Sequence, residues 1–256
     1  MKIAMLLGWG SSSAILANAV RSWHPDAEVL TIVERPPSKR SMIRYRLRRL
    51  GAHVVFGQLL FQSIFVPMIR RQSKIRYEQI LADHNLDTAT RVFDEAVEVA
   101  SVNDQNVQAS LREFAPDVVL VNGTRIIKSN VLHCVDAAFI NTHAGITPMY
   151  RGVHGGYWAL WNDDPENFGV TIHIVDPGVD TGLPLRQIRV QPLQEDTFYT
   201  YPLLQQAMAL TTIKDLLSNL PHSLKSEEQH DTNAFSKQWF HPTAGQYIRG
   251  RLRGVK

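Results

Sequence analysis

"KIAMLLGWGSSSAILANAV", residues 2–20, decides how the rest of the chain is read. An unbroken apolar run from Ile3 to Leu7 closes on Gly8, and a Trp-Gly-Ser-Ser-Ser turn leads into Ala14–Val20, whose apolar residues have helical spacing. A short continuous apolar run marks a strand buried on both faces. Strand, glycine turn and helix together are the opening unit of an open α/β sheet. The run is too short for the apolar core of a signal peptide, and the single cysteine, Cys134, rules out a disulfide framework. A cytoplasmic location is the expectation.

The same rhythm recurs downstream. "AEVLTIVER" (27–35), the stretch near Ala96–Val99, "PDVVLVNG" (116–123) and "AAFINTH" (137–143) read as strands, with a helix starting near Asn103 between the second and third of them. "FGVTIHIVDPG" and "PLRQIRVQP" alternate in the β manner, and residues 197–220 form a long amphipathic helix. The expected fold is therefore α/β: an open, mainly parallel, Rossmann-like sheet in a domain spanning 1–220. A helical insertion of about 36–92 interrupts it, and 221–256 reads as a polar, weakly patterned tail. Hydrophobic residues make up 44% and charged residues 20%, enough for a sizeable core.

The net charge is only +3, yet residues 35–49 hold seven Arg or Lys and no acid, and four more close the chain. Such local runs point to acidic ligands or to a solvated helix face. The apolar stretch 57–69 is short of the roughly 20 residues that span a bilayer. It reads first as a helix packed on the body of the domain; with its basic flanks it also suits a membrane surface or self-association, and a homodimer is expected.

The chemistry gathers where strands end. Asn141 and His143 sit two apart, on one face of a strand. Two acids, Asp176 and Asp180, follow in "VDPGVDTG" (175–182). An imidazole titrates near neutrality, a carboxylate orients it, and an amide donor stabilises an oxyanion without exchanging protons. Asn141, His143 and Asp180 thus suit attack of an amine on an acyl carbonyl. A buried, merely structural histidine fits the same residues. So would a zinc site drawn from His133, His143, His154 and His173, although their spacing matches no metalloenzyme motif, and no metal is expected.

"FINTHAGITPMYRG" (139–152) followed by "FGVTIHIVDPGVDTG" (168–182) resembles the folate-dependent formyltransferases. Asn-x-His, a Pro-x-Tyr-Arg-Gly turn, Gly-Val-Thr-x-His and the acid loop occur in family order. The resemblance is close over about 94–215, moderate over the first 30 residues and poor over 36–92 and the tail. It implies the formyltransferase fold, 10-formyltetrahydrofolate as cosubstrate, and Asn141, His143 and Asp180 as the catalytic trio. It places folate between Gly123, Thr124, Arg125, Ile126, Ile127 and Leu132 on one side and Val175, Asp176, Gly178 and Asp180 on the other.

The resemblance leaves the acceptor amine open. The purine enzyme's Gly-Asn-Gly-Ser-Asn phosphate loop reads here Gly8-Trp9-Gly10-Ser11-Ser12. Methionyl-tRNA formyltransferase adds a tRNA-binding barrel, for which this chain is too short, so no nucleic-acid partner is expected. "GVHGGYWAL" (152–160) and "FHPTAGQYIRG" (240–250) look like the sugar N-formyltransferases of surface-polysaccharide (O-antigen, lipopolysaccharide) gene sets. The acceptor would then be a nucleoside-diphosphate amino sugar, with Gly8, Gly10, Ser11, Tyr150, Arg151 and His154 as its contacts, basic residues of the tail or insertion near its pyrophosphate, and Trp239, Phe240 or Tyr247 either stacking on its base or pinning the tail to the core. A purine-type glycinamide ribonucleotide transformylase is the alternative enzyme, and a folate- or nucleotide-binding module the alternative without catalysis.

Overall fold

The computed structural model describes residues 1–225 and 235–256. In chain order its strands are β1 Lys2–Gly8, β2 Glu28–Glu34, β3 Val97–Val99, β4 Val118–Asn122, β5 Ala138–His143, β6 Arg151–Gly152, β7 Gly169–Ile174, β8 Pro184–Arg189 and β9 Gln238–Trp239. The helices are α1 Ser11–Trp23, α2 Lys39–Leu50, α3 Ala52–Leu60, α4 Val66–Gln72, α5 Lys74–Asp83, α6 Gln105–Phe114, α7 Ser129–Leu132, α8 Gly155–Trp161, α9 Tyr201–Ser218 and α10 Ala244–Leu252.

Seven strands form the main sheet in the order β3-β2-β1-β4-β5-β7-β8. The first five are parallel to their neighbours. β7 and β8 run antiparallel, which qualifies the mainly parallel expectation at one edge. The unbroken apolar strands are explained by burial on both faces. Ile3, Met5 and Leu7 of β1 and Val118 and Leu120 of β4 join one core cluster. Ala4, Leu6, Val119 and Val121 point the other way, into a second cluster with Val107 and Leu111 of α6. Gly8 ends β1 against Gly123: a Cβ at Gly8 would collide with the Gly123 carbonyl, so the close approach of β1 and β4 needs glycine there.

The basic insertion forms α2 through α5. α3 and α4 make one continuous helical rod, joined by a π-helical turn at Phe61–Phe65. The insertion docks through Val55, Phe61 and Ile69 of the rod and Ile80 of α5, all buried in the body. The buried Asp196 carboxylate accepts from Arg76 Nε at 2.8 Å and ties α5 to the loop before α9.

The tail departs from expectation. It carries β9, which pairs with β6, and α10, started by a capping box between Thr243 and Gln246. Trp239, Ala244, Tyr247 and Val255 are buried. Trp239 stacks on Trp158 at 4.7 Å and donates from its indole to the Met149 carbonyl at 3.0 Å. Two residues of strand and nine of helix are too short a pattern to read from sequence, and tertiary burial supplies their order. Residues 226–234 of the expected tail lie outside the described residues. Because Trp239 is buried against Trp158, Trp239→Ala should destabilise the fold by about 3–5 kcal/mol. Urea unfolding with an unchanged slope and a lowered midpoint is the expected readout.

Candidate active site

At the carboxyl ends of the parallel strands, where open α/β sheets bind ligands, lies a cavity of about 600 Å³. Gly123, Thr124, Arg125, Ile126 and Ile127 after β4 line it, as do Val175, Asp176, Gly178 and Asp180 between β7 and β8. Asn141 and His143 of β5 and His173 of β7 also line it. So do Met42, Tyr45 and Arg46 of α2 and Gln238, Trp239, Phe240 and His241 of the tail.

The polar centre is built by register. β5 brings Asn141 and His143 to its end, and antiparallel pairing sets His173 opposite Asn141. His143 Nε2 lies 2.6 Å from the Tyr150 carbonyl. A carbonyl only accepts, so Nε2 carries the hydrogen and Nδ1 is left facing Asp180 Oδ2 at 3.4 Å. By the same logic His173 donates from Nδ1 to the Ile174 carbonyl at 2.9 Å and accepts at Nε2 from Asn141 Nδ2 at 3.2 Å. The other Asn141 N–H reaches Asp180 Oδ1 only at 3.5 Å. Gly145 allows the tight return of this segment, because a Cβ there would strike the His143 ring and the Tyr150 carbonyl.

Asp180 stands in the left-handed region at φ 51°, which Asp tolerates better than most residues. Its carboxylate accepts from the Gly152 N–H at 2.9 Å. Burial alone would raise its pKa. With the two imidazoles in their charged form, the His143 charge, a hydrogen bond from His173 and the Gly152 N–H outweigh burial and bring the group down to about 2. It is therefore ionised at every physiological pH. The Arg125 loop is fixed by another carboxylate: buried Glu34 accepts from the Arg125 and Val102 backbones at 2.9 and 2.8 Å and pairs with Arg125 Nε at 2.6 Å.

The α2 and tail contributions have their own electrostatics. Burial, then the nearby Arg46 charge, lowers the His241 pKa to about 4. Burial, then His241, pushes His154 well below its ordinary value. The two rings meet at 3.1 Å as neutral imidazoles. Arg46 itself is lowered by burial, bonds Gln62 at 3.4 Å, and pairs with no carboxylate among the described residues.

The expected trio thus converges, with Gly123–Ile127 and the acid loop beside it. Other expected contacts do not line this cavity. Gly8, Gly10 and Ser11 belong to the β1–α1 turn, where Gly8 packs on Gly123. Leu132 packs on the second core cluster. The Tyr150 hydroxyl donates to Asp164 at 2.6 Å, and this residue serves His143 through its carbonyl. Arg151 holds the acid loop by donating to the Val179 carbonyl at 2.9 Å and also donates to Ser236 at 3.1 Å. His154 faces His241 behind the cavity lining. Tyr45, Arg46 and His241 escaped the sequence reading as individual site residues, and His173 was weighed there only as a possible zinc ligand. The Gly-Val-Thr-x-His motif on an alternating strand was the signal available for His173.

A family model described as formyl transferase matches residues 1–206. The chain belongs to the formyl transferase family. Members of that family use 10-formyltetrahydrofolate as formyl donor. Methionyl-tRNA formyltransferase of Thermosynechococcus vestitus is 33% identical over 132 residues, 51% of this chain and 39% of that protein. Its counterpart in Pelotomaculum thermopropionicum is 35% identical over 97 residues, 38% of this chain and 31% of that protein. The chain thus spans well under two thirds of the length of these relatives. Among solved structures, a sugar N-formyltransferase from a Shewanella species shares the fold with a TM-score of 0.58 at 15% identity, covering 99% of this chain and 87% of its own. A glycinamide ribonucleotide transformylase from Symbiobacterium toebii has a TM-score of 0.52 at 17% identity and covers 84% of each chain.

The lowered Asp180 pKa has a pH signature. A carboxylate whose folded pKa is depressed to about 2 stabilises the fold above its unfolded value, near 3.8. That contribution disappears as pH falls through the window between the two values. It amounts to about 2 kcal/mol in full. Asp180→Asn should flatten this part of the stability curve, measured by urea midpoints from pH 5 down to pH 2.

Proposed function

We propose that this protein transfers the formyl group of 10-formyltetrahydrofolate to the amine of a nucleotide-linked amino sugar. The observation that carries the reading is the meeting of two unlike surfaces at one polar centre. The Gly123–Ile127 loop and the acid loop supply main-chain groups and the exposed aliphatic side chain of Ile126, which fit a flat, polar-edged pterin. The α2 and tail residues supply Arg46 with Tyr45, Trp239 and Phe240, which fit a phosphate and a planar base. Arg125 is neutralised by Glu34, so Arg46 is the cation we assign to the acceptor's phosphates. Arg151 is occupied by the acid loop and is not given that role.

The chemistry follows from the geometry. The amine nitrogen bonds to the formyl carbon, and the bond from that carbon to the folate N10 breaks. We assign the Asn141 N–H that reaches Asp180 only at 3.5 Å to the developing oxyanion. His143 Nδ1, left as the open nitrogen by the Tyr150 carbonyl, takes the amine proton and returns it to N10. Asp180 faces that nitrogen at 3.4 Å and stabilises the imidazolium as it forms. His173 orients the Asn141 amide.

The fold likeness to the Shewanella sugar N-formyltransferase runs over nearly the whole chain, insertion and tail included, which supports the sugar acceptor. Against a purine-type acceptor stands the Gly8–Ser11 turn, whose residues do not line the cavity. The test is a turnover assay with 10-formyltetrahydrofolate against a panel of nucleoside-diphosphate amino sugars and glycinamide ribonucleotide. Product from the ribonucleotide alone would replace the proposed acceptor, and no product from any amine would leave a binding module.

Two variants separate the roles. Asn141→Ala should lower kcat by about 100- to 1,000-fold, the usual loss for one oxyanion donor, with folate binding nearly unchanged by calorimetry. Arg46→Ala should instead raise the acceptor KM by roughly 10- to 100-fold, the range for a lost charged hydrogen bond, and leave folate binding alone. An unchanged acceptor KM in Arg46→Ala would remove the phosphate from this position.

A further inference from the structure

The rod formed by α3 and α4, Ala52–Gln72, has two apolar faces. The inner one is fixed to the body. Val55, Gln58, Phe61 and Ile69 are buried, and Gln58 donates to the His241 carbonyl at 2.7 Å. The outer face of a helix on a protein body normally carries charge. Here the 16 positions 54–69 contain no charged residue. Phe56, Leu60, Ile64 and Met68 recur every fourth residue and are 69%, 37%, 55% and 44% exposed. At 1.5 Å per residue that stripe is about 18 Å long. The rod is 21 residues with a mean hydropathy of 1.6, and only 22% of that apolar window is buried.

The charge around this stripe is of one sign. Lys39 to Arg76 contains ten Lys or Arg and no Asp or Glu. Lys39, Arg40, Arg44, Arg48 and Arg71 are exposed, and they pair with no carboxylate among the described residues. We propose that this face docks on the surface of an anionic lipid bilayer, with the rod lying flat and its apolar stripe entering the headgroup layer.

Charge complementarity selects this occupant. A two-fold interface between copies would set the same exposed, unpaired cations against one another. An anionic headgroup layer neutralises them while the stripe loses its contact with water. The rod lies along the bilayer and does not cross it. Its inner face is held by Gln58 and by Phe61, which packs on Phe198 at 5.0 Å and Tyr247 at 5.1 Å. The basic helix α2 joins the rod directly at Gly51 and contributes Tyr45 and Arg46 to the cavity. Docking therefore brings part of the cavity lining close to the membrane. The inference does not depend on the formyl acceptor.

The test is co-sedimentation of the full chain with vesicles of phosphatidylcholine alone and with vesicles that also contain phosphatidylglycerol. Binding is expected to the second kind only, and raised salt should release it, since screening weakens the headgroup attraction. Two variants probe the two parts of the face: F56E/I64E for the stripe and R44E/R48E/R71E for the cations. Each should reduce the bound fraction about tenfold or more, as apolar insertion and charge act together, while circular dichroism stays unchanged. Wild-type protein left in the supernatant would overturn the proposal, as would equal binding to both vesicle types. A wild-type dimer that F56E/I64E converts to monomer, without vesicle binding, would assign the face to a second copy. If F56E/I64E does not fold, the charge-reversal variant decides by itself, because its three residues are exposed.

Discussion

The Asp180 carboxylate is the interaction on which the site depends. It takes a hydrogen bond from Gly152, faces His143 and His173 at 3.4 and 3.6 Å, and meets the Asn141 amide at 3.5 Å. Four chain segments are thereby referred to one anion: β5, the turn at β6, β7 and the acid loop. Burying an anion is unfavourable unless its lone pairs are occupied. The left-handed backbone of Asp180 brings the carboxylate to these partners, and the partners offset the desolvation. Removing any one of them would leave the anion partly uncompensated. The constellation is therefore mutually required, not a set of independent residues.

The insertion and the tail depend on each other in the same way. Gln58 bonds the His241 carbonyl, Arg49 bonds Gln238 at 2.8 Å and lies over the Phe240 ring, and Phe61 and Phe65 pack on Tyr247. Two segments separated by nearly the whole catalytic core thus complete the cavity together. β9 is hydrogen-bonded to β6, beside the Gly152 N–H that holds Asp180. The tail therefore reaches the polar centre through one short strand pairing.

What the sequence revealed follows from these physics. β1, β4 and β5 were legible because a strand buried on both faces leaves an unbroken apolar run. Asn141, His143 and Asp180 were legible because residue type and local spacing carry their chemistry. Arg46 and His241 were not, because what makes them site residues is a contact across almost 200 positions and no local pattern records it. Arg151 was expected at a phosphate from its place beside the motif, and what the sequence could not show is that two of its N–H groups reach the Val179 carbonyl and the Ser236 hydroxyl. Gly8 and Gly10 resembled a phosphate turn, whereas the glycine at 8 answers the steric demand of Gly123. The tail's strand was unreadable because it is two residues long, whereas Trp239 and Tyr247, which enter the core, stood out as aromatic anchors.

The charges inside the cavity are partitioned. Glu34 neutralises Arg125 where the Gly123–Ile127 loop is held, and Asp180 is balanced by hydrogen bonds and imidazoles at the centre. His154 and His241 are kept neutral by burial. Among the described residues lining the cavity, Arg46 is then the cation left without a carboxylate, and it is partly desolvated. A cation held that way is favourable only if something anionic arrives, because partial burial weakens its hydration and strengthens any ion pair it forms. Among the described residues the cavity cation without a carboxylate therefore lies on α2, the helix that the exposed apolar rod continues.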